Sequence, residues 1–437
     1  MKRISYLLLL LLLAFAIVAC GGNAGDVVNN TPDNTAEGPA DEPADEPADE
    51  PADEAGAMEC TDEIGCVTVE PGAPIRIASA LVITGSDAEL GLDSQRGIEI
   101  ALAQRGEVLG HIVELQAEDD GCSAEGGQTA AQKIVSDPTI VGVIGTSCSG
   151  AGVPAAQVMG ENGYVMISPS NTAPVLTDPA SRQPGYFRTA HNDKVQGRAM
   201  AEFAYNELGI RRAAAIHDGD PYTEGLASVF RDSFIELGGE ITAFEASDPE
   251  ASDVTPVLTT IAATEPEMIY YPVFVVLGSN LTLQARQTPG LEETILSGAD
   301  GILSTQFLDA AGEAALGMYL SGPDLGFENA IYETFLAEYQ ERYGTEPTAA
   351  FHAHAYDATN ILLAAVEQVA QVGDDGTLLI GRAALREAVA ATSGFEGITG
   401  TLTCDENGDC ADPRIAVNEV QEGDEGLDFV PIYASEG

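Results

Sequence analysis

The sequence predicts an α/β protein built from two doubly wound lobes. Apolar strand patterns alternate with helical patterns from residue 75 onwards, which is typical of a parallel sheet covered by helices. The same alternation restarts after residue 189. The chain has 437 residues, of which 45% are hydrophobic. It is longer than one core usually supports, so two lobes are expected.

The elements of the first lobe follow from hydrophobic periodicity. An apolar run at 75–83 is predicted as a buried strand, and Leu92, Ile98 and Ile100 supply the apolar positions of the helix after it. The remaining predictions for this lobe are strands at 111–117, 139–144 and 164–167, with helices at 125–135 and 153–159.

The second lobe repeats this order of elements. Its predicted helices are 195–208, 222–237, 254–263 and 278–286, and its predicted strands are 213–217, 241–244, 268–276 and 294–296. Three more helices are predicted at 329–343, 350–372 and 383–391. The chain ends in a predicted hairpin around Asn407–Gly408 with short strands beyond it.

Two hydroxyl-rich loops follow neighbouring strands of the first lobe. Ser149 stands where a helix opens after the strand ending at Ile144, and Ser170 and Thr172 follow the next strand. Carboxyl ends of parallel strands face a common crevice, where loop amides and a helix N-terminus attract an anion. These residues therefore suit a ligand carboxylate, although a single serine at a helix start is more often a cap.

The first twenty residues have the pattern of a secretory targeting segment. Lys2 and Arg3 precede an apolar run from Leu7 to Ala19, which is shorter than the roughly 20 residues needed to span a bilayer. The run ends in Ile-Val-Ala-Cys-Gly at 17–21. This resembles a bacterial lipobox, which implies cleavage before Cys20 and lipid on its sulfur; an ordinary signal peptide is the alternative.

Residues 21–58 are predicted to form a disordered acidic spacer. Ala-Asp-Glu-Pro repeats from Ala40 to Glu54, with no lysine or arginine in the stretch. Proline blocks helix formation and ladder pairing, and the carboxylates repel each other, so the segment stays extended. Its predicted role is to extend the distance between the folded region and the N-terminal anchor.

The net charge of −52 limits the partners of the protein. Such a surface repels phosphates, which excludes nucleic acid as a partner. A strongly acidic surface stays soluble where salt screens its self-repulsion. A saline habitat and a lineage with generally acidic secreted proteins are both open explanations.

Cysteine spacing indicates disulfides. Beyond Cys20, six cysteines fall into local pairs, and local pairing is the simplest of the 15 connectivities. Neighbouring strands lie about 4.8 Å apart, so loops at their ends can meet disulfide geometry. A metal cluster is disfavoured by the separated spacings and the oxidising compartment. The predicted pairs are Cys60 with Cys66, Cys122 with Cys148, and Cys404 with Cys410.

Together, the order of elements and seven short motifs resemble the leucine/isoleucine/valine-binding proteins, the type I solute-binding proteins of ABC importers. The likeness runs from about residue 75 to the C-terminus. Each motif is weak alone, but the set is specific. The motifs are DDGC at 119–122, GTSCS at 145–149, ISPSNTAP at 167–174, FRT at 187–189, IHD at 216–218, YTEGLA at 222–227 and YDA at 356–358.

The resemblance implies the type I periplasmic-binding-protein fold, with two lobes joined by a three-strand hinge. Crossings between lobes are expected near Thr189, at 318–320 and at 402–405. Lobe 1 then comprises 75–189 and 321–402, and lobe 2 comprises 190–320 and 403–437. The Cys122–Cys148 bridge is also implied.

The resemblance further implies the ligand contacts. Ser149, Ser170 and Thr172 correspond to groups that hold the α-carboxylate and α-ammonium of an amino acid. On the other side, Asp300 falls where the family has a glutamate that binds the ammonium. Leu90 and Phe274 fall at or near family tyrosines, and Tyr222 matches an aromatic of the second lobe. Aspartate is one methylene shorter than glutamate, and phenylalanine cannot form the hydrogen bond of tyrosine.

The expected function is therefore a lipid-anchored, extracytoplasmic, monomeric binding protein for a branched-chain or other aliphatic amino acid, serving ABC permease subunits without a cofactor. A sensor that binds another small carboxylate or amide is the alternative.

An enzyme is less favoured. The stretch 145–149 breaks the G-x-S-x-G nucleophile elbow. His352 and His354 point to different helix faces and make a poor metal pair. The stretch 405–409 has its glycine too early for an EF-hand. No feature of the sequence therefore names a reaction.

Overall fold

The computed structural model describes residues 58–423 and 426–435. The predicted signal segment, Cys20 and the spacer up to residue 57 lie outside these residues. Within the described ranges, no helix combines the length and the apolar character that a membrane span requires.

The first stretch, residues 58–188, alternates strands and helices as predicted. Its strands are β1 (Cys66–Val69), β2 (Ile75–Leu81), β3 (Glu107–Val108), β4 (His111–Asp119), β5 (Ile140–Gly145), β6 (Val165–Ser168) and β7 (Tyr186–Arg188). Its helices are α1 (Ala88–Arg105), α2 (Ala124–Val135) and α3 (Ser149–Glu161).

The second stretch, residues 189–323, continues the alternation. Its helices are α4 (Asp193–Glu202), α5 (Pro221–Glu236), α6 (Thr255–Ala262), α7 (Val275–Ala285) and α8 (Thr305–Ala311). Its strands are β8 (Arg212–His217), β9 (Glu240–Ala246), β10 (Met268–Tyr270), β11 (Ile295–Gly298) and β12 (Tyr319–Pro323).

The third stretch contains three helices and six strands among its described residues. The helices are α9 (Ala330–Tyr343), α10 (His352–Val369) and α11 (Arg382–Ala390). The strands are β13 (Gln371–Val372), β14 (Leu378–Gly381), β15 (Phe395–Glu396), β16 (Thr401–Leu402), β17 (Ile415–Gly423) and β18 (Gly426–Ala434).

The first lobe is built on a sheet with the order β3-β4-β2-β5-β6-β7. All pairs from β4 to β7 are parallel, and β3 pairs antiparallel at the edge. Every residue of β5 and β6 is buried, as expected for strands covered on both faces. The helices α1, α2, α3 and α10 supply the covering layers.

The second lobe has a sheet with the order β18-β17-β12-β11-β10-β8-β9. The strands from β9 to β12 are parallel, whereas β17 and β18 add an antiparallel edge. Two mainly parallel, doubly wound lobes confirm the predicted fold class.

The chain crosses between the two sheets three times. The crossings lie between β7 and α4, after β12, and between β16 and β17. The predicted lobe boundaries stay a prediction, and the sheets favour moving two of them. Because Tyr319–Pro323 pairs within the second sheet, we propose the second boundary near Asp324. The turn at 403–410 stays beside Arg188 in the first lobe, so we propose the third boundary near residue 411.

Several predicted elements were wrong in extent. Helix α3 begins at Ser149 rather than at residue 153, because its first turn is built from small residues that carry no periodic signal. The strand predicted at 268–276 ends at Tyr270, and the apolar run continues into α7. The hairpin predicted around Asn407–Gly408 is a disulfide-closed turn in which the Asp405 amide donates to the Asp409 carbonyl at 2.8 Å. The hairpin of this region is β17–β18.

Three disulfides are present in the described residues: Cys60–Cys66, Cys122–Cys148 and Cys404–Cys410. Cys122–Cys148 joins the loops after β4 and β5. It therefore stands at the carboxyl edge of the first sheet, beside the hydroxyl-rich loops.

A buried arginine holds the edge of the first sheet together. The Arg188 side chain is fully buried and forms an ion pair with Asp409, which is 28% exposed. Its Nη1 donates to the carbonyl oxygens of Asn171 and Ala173, both at 3.0 Å. Arg188 thus fixes the loop that carries Thr172.

Replacing Arg188 should destabilise the protein strongly. Arg188→Gln should lower the free energy of unfolding by about 3–5 kcal/mol, because it removes the ion-pair partner of Asp409 and a buried donor to the carbonyl oxygens of Asn171 and Ala173. As a control, Arg198→Gln removes an exposed ion pair with Glu202 and should change it by less than about 1 kcal/mol. Urea unfolding of both variants tests this, and equal losses would contradict it.

Candidate functional site

The predicted hydroxyl residues of the first lobe lie side by side at the ends of β5 and β6. The Ser149 hydroxyl accepts a hydrogen bond from the Ala173 amide at 3.2 Å. The Ser170 hydroxyl donates to the Ser147 carbonyl at 2.9 Å. The Thr172 hydroxyl is fully buried and has no hydrogen-bond partner. Thr172 therefore offers an unused polar group.

The loop that carries these hydroxyls is held rigidly. The Asn171 amide nitrogen donates to the carbonyl oxygens of Thr146 and Ser147, both at 3.0 Å. Arg188 binds the same loop from the other side. The hydroxyl groups are thus positioned before any ligand arrives, which lowers the cost of ordering them on binding.

The second lobe contributes a buried carboxylate, as predicted. Asp300 follows β11 and is 5% exposed. Its Oδ1 accepts hydrogen bonds from Gln196 Nε2 at 2.6 Å and from the Tyr222 hydroxyl at 3.2 Å. The Tyr222 ring packs against Phe274, with ring centroids 5.3 Å apart. Three of the predicted residues therefore form one wall.

A second buried carboxylate, Asp193, was missed in the sequence. It is the first residue of α4 and is fully buried. Its backbone amide donates to the Thr172 carbonyl at 3.0 Å, so it adjoins the first-lobe wall. Neither of its carboxylate oxygens has a hydrogen-bond partner. An aspartate at a helix start is usually explained by the helix dipole alone, which is why sequence reasoning passed over it.

Burial raises the pKa values of both carboxyls, and the charge of Asp300 adds to the rise at Asp193. Burial raises the pKa of Asp300 to about 6, and the hydrogen bonds from Gln196 and Tyr222 only partly offset this. Burial, and then the charge of Asp300, raise the pKa of Asp193 well above its usual range. The Thr172 hydroxyl is close enough to oppose this rise, although the two side chains lack hydrogen-bond geometry. A bound cation would relieve both effects.

The nearest arginine does not neutralise this pair. Arg188 lowers the pKa of Asp193, but its guanidinium already pairs with Asp409 and binds two loop carbonyls and Thr177. The two aspartates therefore form a desolvated anionic site that suits an ammonium group.

Two cavities next to Asp300 are lined by both apolar and acidic residues. Leu90 is half-buried and lines a small cavity together with Asp300 and Val275. Phe274 lines an adjoining cavity of about 270 Å³ between the lobes, and Asp87 borders both spaces. Leu90, Phe274 and Asp300 thus line adjoining cavities, whereas Ser149, Ser170 and Thr172 lie at the carboxyl edge of the first sheet.

The two histidines considered as a metal pair have other contacts. His352 Nδ1 lies 2.9 Å from Asp93 Oδ2, and its Nε2 lies 3.0 Å from the Tyr332 hydroxyl. The His354 ring packs against Phe351. Among the described residues, no cluster of three or more histidine, cysteine, aspartate or glutamate side chains could hold a metal ion.

The fold has two α/β lobes that are joined by three crossings and separated by a cleft. This arrangement defines a two-lobe solute-binding protein. The sequence profile of the periplasmic binding protein family matches residues 74–425. The chain therefore belongs to the periplasmic binding protein family, which confirms the resemblance seen in the sequence, and its fold is type I.

Relatives with known names support this placement. A crystal structure of a leucine-binding protein from Thermotoga maritima superposes with a TM-score of 0.73 at 28% identity, covering 82% of this chain and 98% of that one. A leucine-, isoleucine-, valine-, threonine- and alanine-binding protein from Pseudomonas aeruginosa is 28% identical over 77% of this chain and 87% of its own length. A Leu/Ile/Val-binding protein homolog from Brucella melitensis is 27% identical over 80% of this chain and 92% of its own length.

The unpartnered hydroxyl of Thr172 generates a test. Thr172→Val should leave the melting temperature of the ligand-free protein unchanged or higher, because it removes a buried hydroxyl without a partner. It should weaken binding of leucine or a related amino acid about tenfold. Differential scanning fluorimetry and isothermal titration calorimetry measure the two effects.

Thr359→Val is the matched control for this test. The Thr359 hydroxyl is also fully buried but donates to the Ala355 carbonyl at 2.8 Å within α10. This variant should lower the melting temperature and leave affinity unchanged. The same behaviour in both variants would remove Thr172 from the site.

Proposed function

We propose that this protein binds a small amino acid between its lobes and delivers it to an ABC importer, and that a branched-chain or other aliphatic amino acid is the ligand. The observation that carries the proposal is the desolvated pair Asp193 and Asp300, which faces the unused hydroxyl of Thr172. The Thermotoga maritima protein is named as leucine-binding, and the Pseudomonas aeruginosa protein is named as binding leucine, isoleucine, valine, threonine and alanine. Both names support the same ligand class.

A zwitterion matches the two walls. Burying both of its charges costs more than binding returns unless each charge meets hydrogen-bonding groups of opposite polarity. The ammonium is placed between Asp193 and Asp300, beside the Tyr222 hydroxyl. The carboxylate is placed against the hydroxyls of Ser149 and Thr172 and the backbone at Ser170. The Ser149 hydroxyl accepts from Ala173 and keeps its own proton available for donation.

Asp193 compensates for two departures of this sequence from the family pattern. Asp300 is shorter than glutamate, and Phe274 cannot form the hydrogen bond of a tyrosine. Asp193 supplies a second carboxylate for the ammonium, so the loss of that hydrogen bond is compensated. Phe274 and Leu90 are then free to contact an aliphatic side chain.

Location and partners follow the family. As a periplasmic binding protein, the molecule is extracytoplasmic. We further propose that it acts as a monomer, that lipid on Cys20 tethers it to the membrane, and that permease subunits receive its ligand. Without such a permease, the same cleft would serve a sensor, and the presence or absence of permease and ATPase genes beside its own distinguishes the two roles.

A ligand panel tests the proposal directly. Leucine, isoleucine, valine, alanine and threonine should each be compared by thermal shift, and a ligand at 100 times its Kd should stabilise the protein by about 2.7 kcal/mol. Benzoate, which has a carboxylate but no ammonium, is the control. Stabilisation by benzoate and by none of the amino acids would overturn the proposal.

Binding should weaken in acid. Burial raises the pKa of Asp300 to about 6 in the ligand-free protein, so this carboxyl is mostly neutral at pH 5 and mostly ionised at pH 7.5. An ammonium ligand requires the ionised form, so its affinity should fall about tenfold between these pH values. Calorimetry in buffers of different ionisation enthalpy should also detect proton release near pH 6. A flat profile with no proton release would contradict the role of Asp300.

Neutralising Asp193 should have opposite effects on the stability of the ligand-free protein and on its affinity for the ligand. Asp193→Asn removes a buried charge that has no partner and repels Asp300, so it should raise the free energy of unfolding of the ligand-free protein by about 1–3 kcal/mol. The same change should weaken amino acid binding at least tenfold. Urea unfolding and calorimetry provide both numbers, and unchanged affinity would remove Asp193 from the site.

A further inference from the structure

Two carboxylates of the first lobe contact the starts of helices in the second lobe. Asp87 Oδ1 accepts a hydrogen bond from the amide of Val275, the first residue of α7, at 3.1 Å. Glu89 Oε2 accepts from the Thr305 hydroxyl and from the Gln306 amide in the first turn of α8, both at 3.0 Å. Both contacts join side chains at the start of α1 to the opposite lobe.

A third carboxylate makes the reverse contact. Asp220 belongs to the second lobe, where its Oδ1 accepts from the Tyr222 amide at 2.8 Å and caps α5. Its Oδ2 lies against Gly150 in the first turn of α3, and the Gly150 amide lowers the pKa of Asp220. One carboxylate therefore serves the starts of two helices, one from each lobe.

Glycine at position 150 is required for this approach. A Cβ atom there would lie 1.9 Å from Asp220 Oδ2, and its three nearest neighbours all belong to the Asp220 carboxyl group. Residues with a side chain would push Asp220 away from α3.

We propose that Asp87, Glu89 and Asp220 form an interlobe latch that favours the closed cleft, so that these residues set ligand affinity by positioning the lobes. Asp87 and Glu89 accept hydrogen bonds across the cleft, and hydrogen bonds to a carboxylate are stronger than neutral ones. The Asp220 carboxylate lies against Gly150 of the opposite lobe. Opening would return these groups to water. The apparent affinity for a ligand that needs the closed state scales with the fraction of closed molecules.

Like charges oppose the interlobe latch. Asp87 of the first lobe faces Asp218 and Glu250 of the second lobe, whose charges help to raise its pKa. Repulsion across the cleft therefore partly offsets the contacts of the interlobe latch. The loss of one contact should measurably shift the equilibrium between the open and the closed cleft.

The test compares the ligand-free shape with affinity at pH 7.5. Glu89→Ala and Asp220→Ala should each increase the radius of gyration measured by small-angle X-ray scattering without ligand, and should weaken leucine binding five- to tenfold. Circular dichroism and the melting temperature verify that both variants are folded. Unchanged scattering in both variants would overturn the interlobe latch, even if affinity fell, because the residues would then act as ligand contacts.

Asp62→Ala is the matched control. The Asp62 carboxylate accepts hydrogen bonds from the amides of Ala383 and Ala384 at the start of α11, within the first lobe. Its loss should lower the melting temperature without changing scattering or affinity. If the same expansion occurred in this variant, the effect would be general loosening and the proposal would fail.

A double-mutant cycle tests the Asp220 contact specifically. Gly150→Ala should expand the ligand-free protein as Asp220→Ala does, because the new methyl group displaces the carboxylate. In the double variant the methyl group has no carboxylate to displace. The double variant should therefore have the same radius of gyration as Asp220→Ala alone. Additive effects would overturn this contact.

The interlobe latch goes beyond the proposed function, and the two can fail separately. If leucine did not bind the unmodified protein, the proposed ligand class would be refuted. The scattering comparison of the ligand-free variants would still decide whether the interlobe latch exists.

Discussion

The burial of Asp193 and Asp300 in one cleft is the constraint on which the site depends. Two carboxylates withdrawn from water and facing each other are costly, and their raised pKa values express that cost. The fold tolerates the pair because Gln196 and Tyr222 donate hydrogen bonds to Asp300. Neither carboxylate oxygen of Asp193 has a hydrogen-bond partner, so this carboxyl group can still accept hydrogen bonds from a cation. The ligand-free cleft is thus less stable than an apolar cleft of the same shape. A bound cation would supply the opposite charge that the empty site lacks.

The same carboxylate is connected to the segment on which the lobes turn. Gln196 Nε2 binds both Asp300 and the Ser321 hydroxyl, and its Oε1 contacts His191 in the first crossing. His191 is buried, and burial lowers its pKa to about 4. The ring therefore stays neutral, and its contact with Gln196 is preserved over the whole neutral pH range. The Gln196 side chain therefore connects the Asp300 carboxylate to two of the three crossings.

Much of the fold could be predicted because parallel sheets carry a strong pattern. Strands such as β5 are apolar on both faces, and small or hydroxyl residues mark their carboxyl ends. Those loops contain Ser149, Ser170 and Thr172, so the sequence was enough to propose these residues as one wall of the site. Asp300 was identified in the same way, at the end of β11 and with the help of the family pattern.

Other features could not be predicted because they depend on how distant segments meet. Asp193 has an ordinary place at a helix start, and only the approach of Thr172 and Asp300 makes it unusual. Ser149 seemed to precede its helix because glycines and alanines hide the first turn of α3. The contacts of Asp87, Glu89 and Asp220 depend on the relative placement of two lobes, about which local periodicity carries no information.

The segment before the first sheet has a practical consequence. Strand β1 pairs with β14, Cys60 is bonded to Cys66, and Asp62 binds the start of α11. All of these contacts are with the first lobe. Mechanical load applied at residue 58 is therefore borne by that lobe alone, and none of it passes through the crossings. If the protein were immobilised on a chip or an electrode through this end, its second lobe would stay free to move relative to the first. A reagentless biosensor that reports ligand binding through lobe movement needs this arrangement.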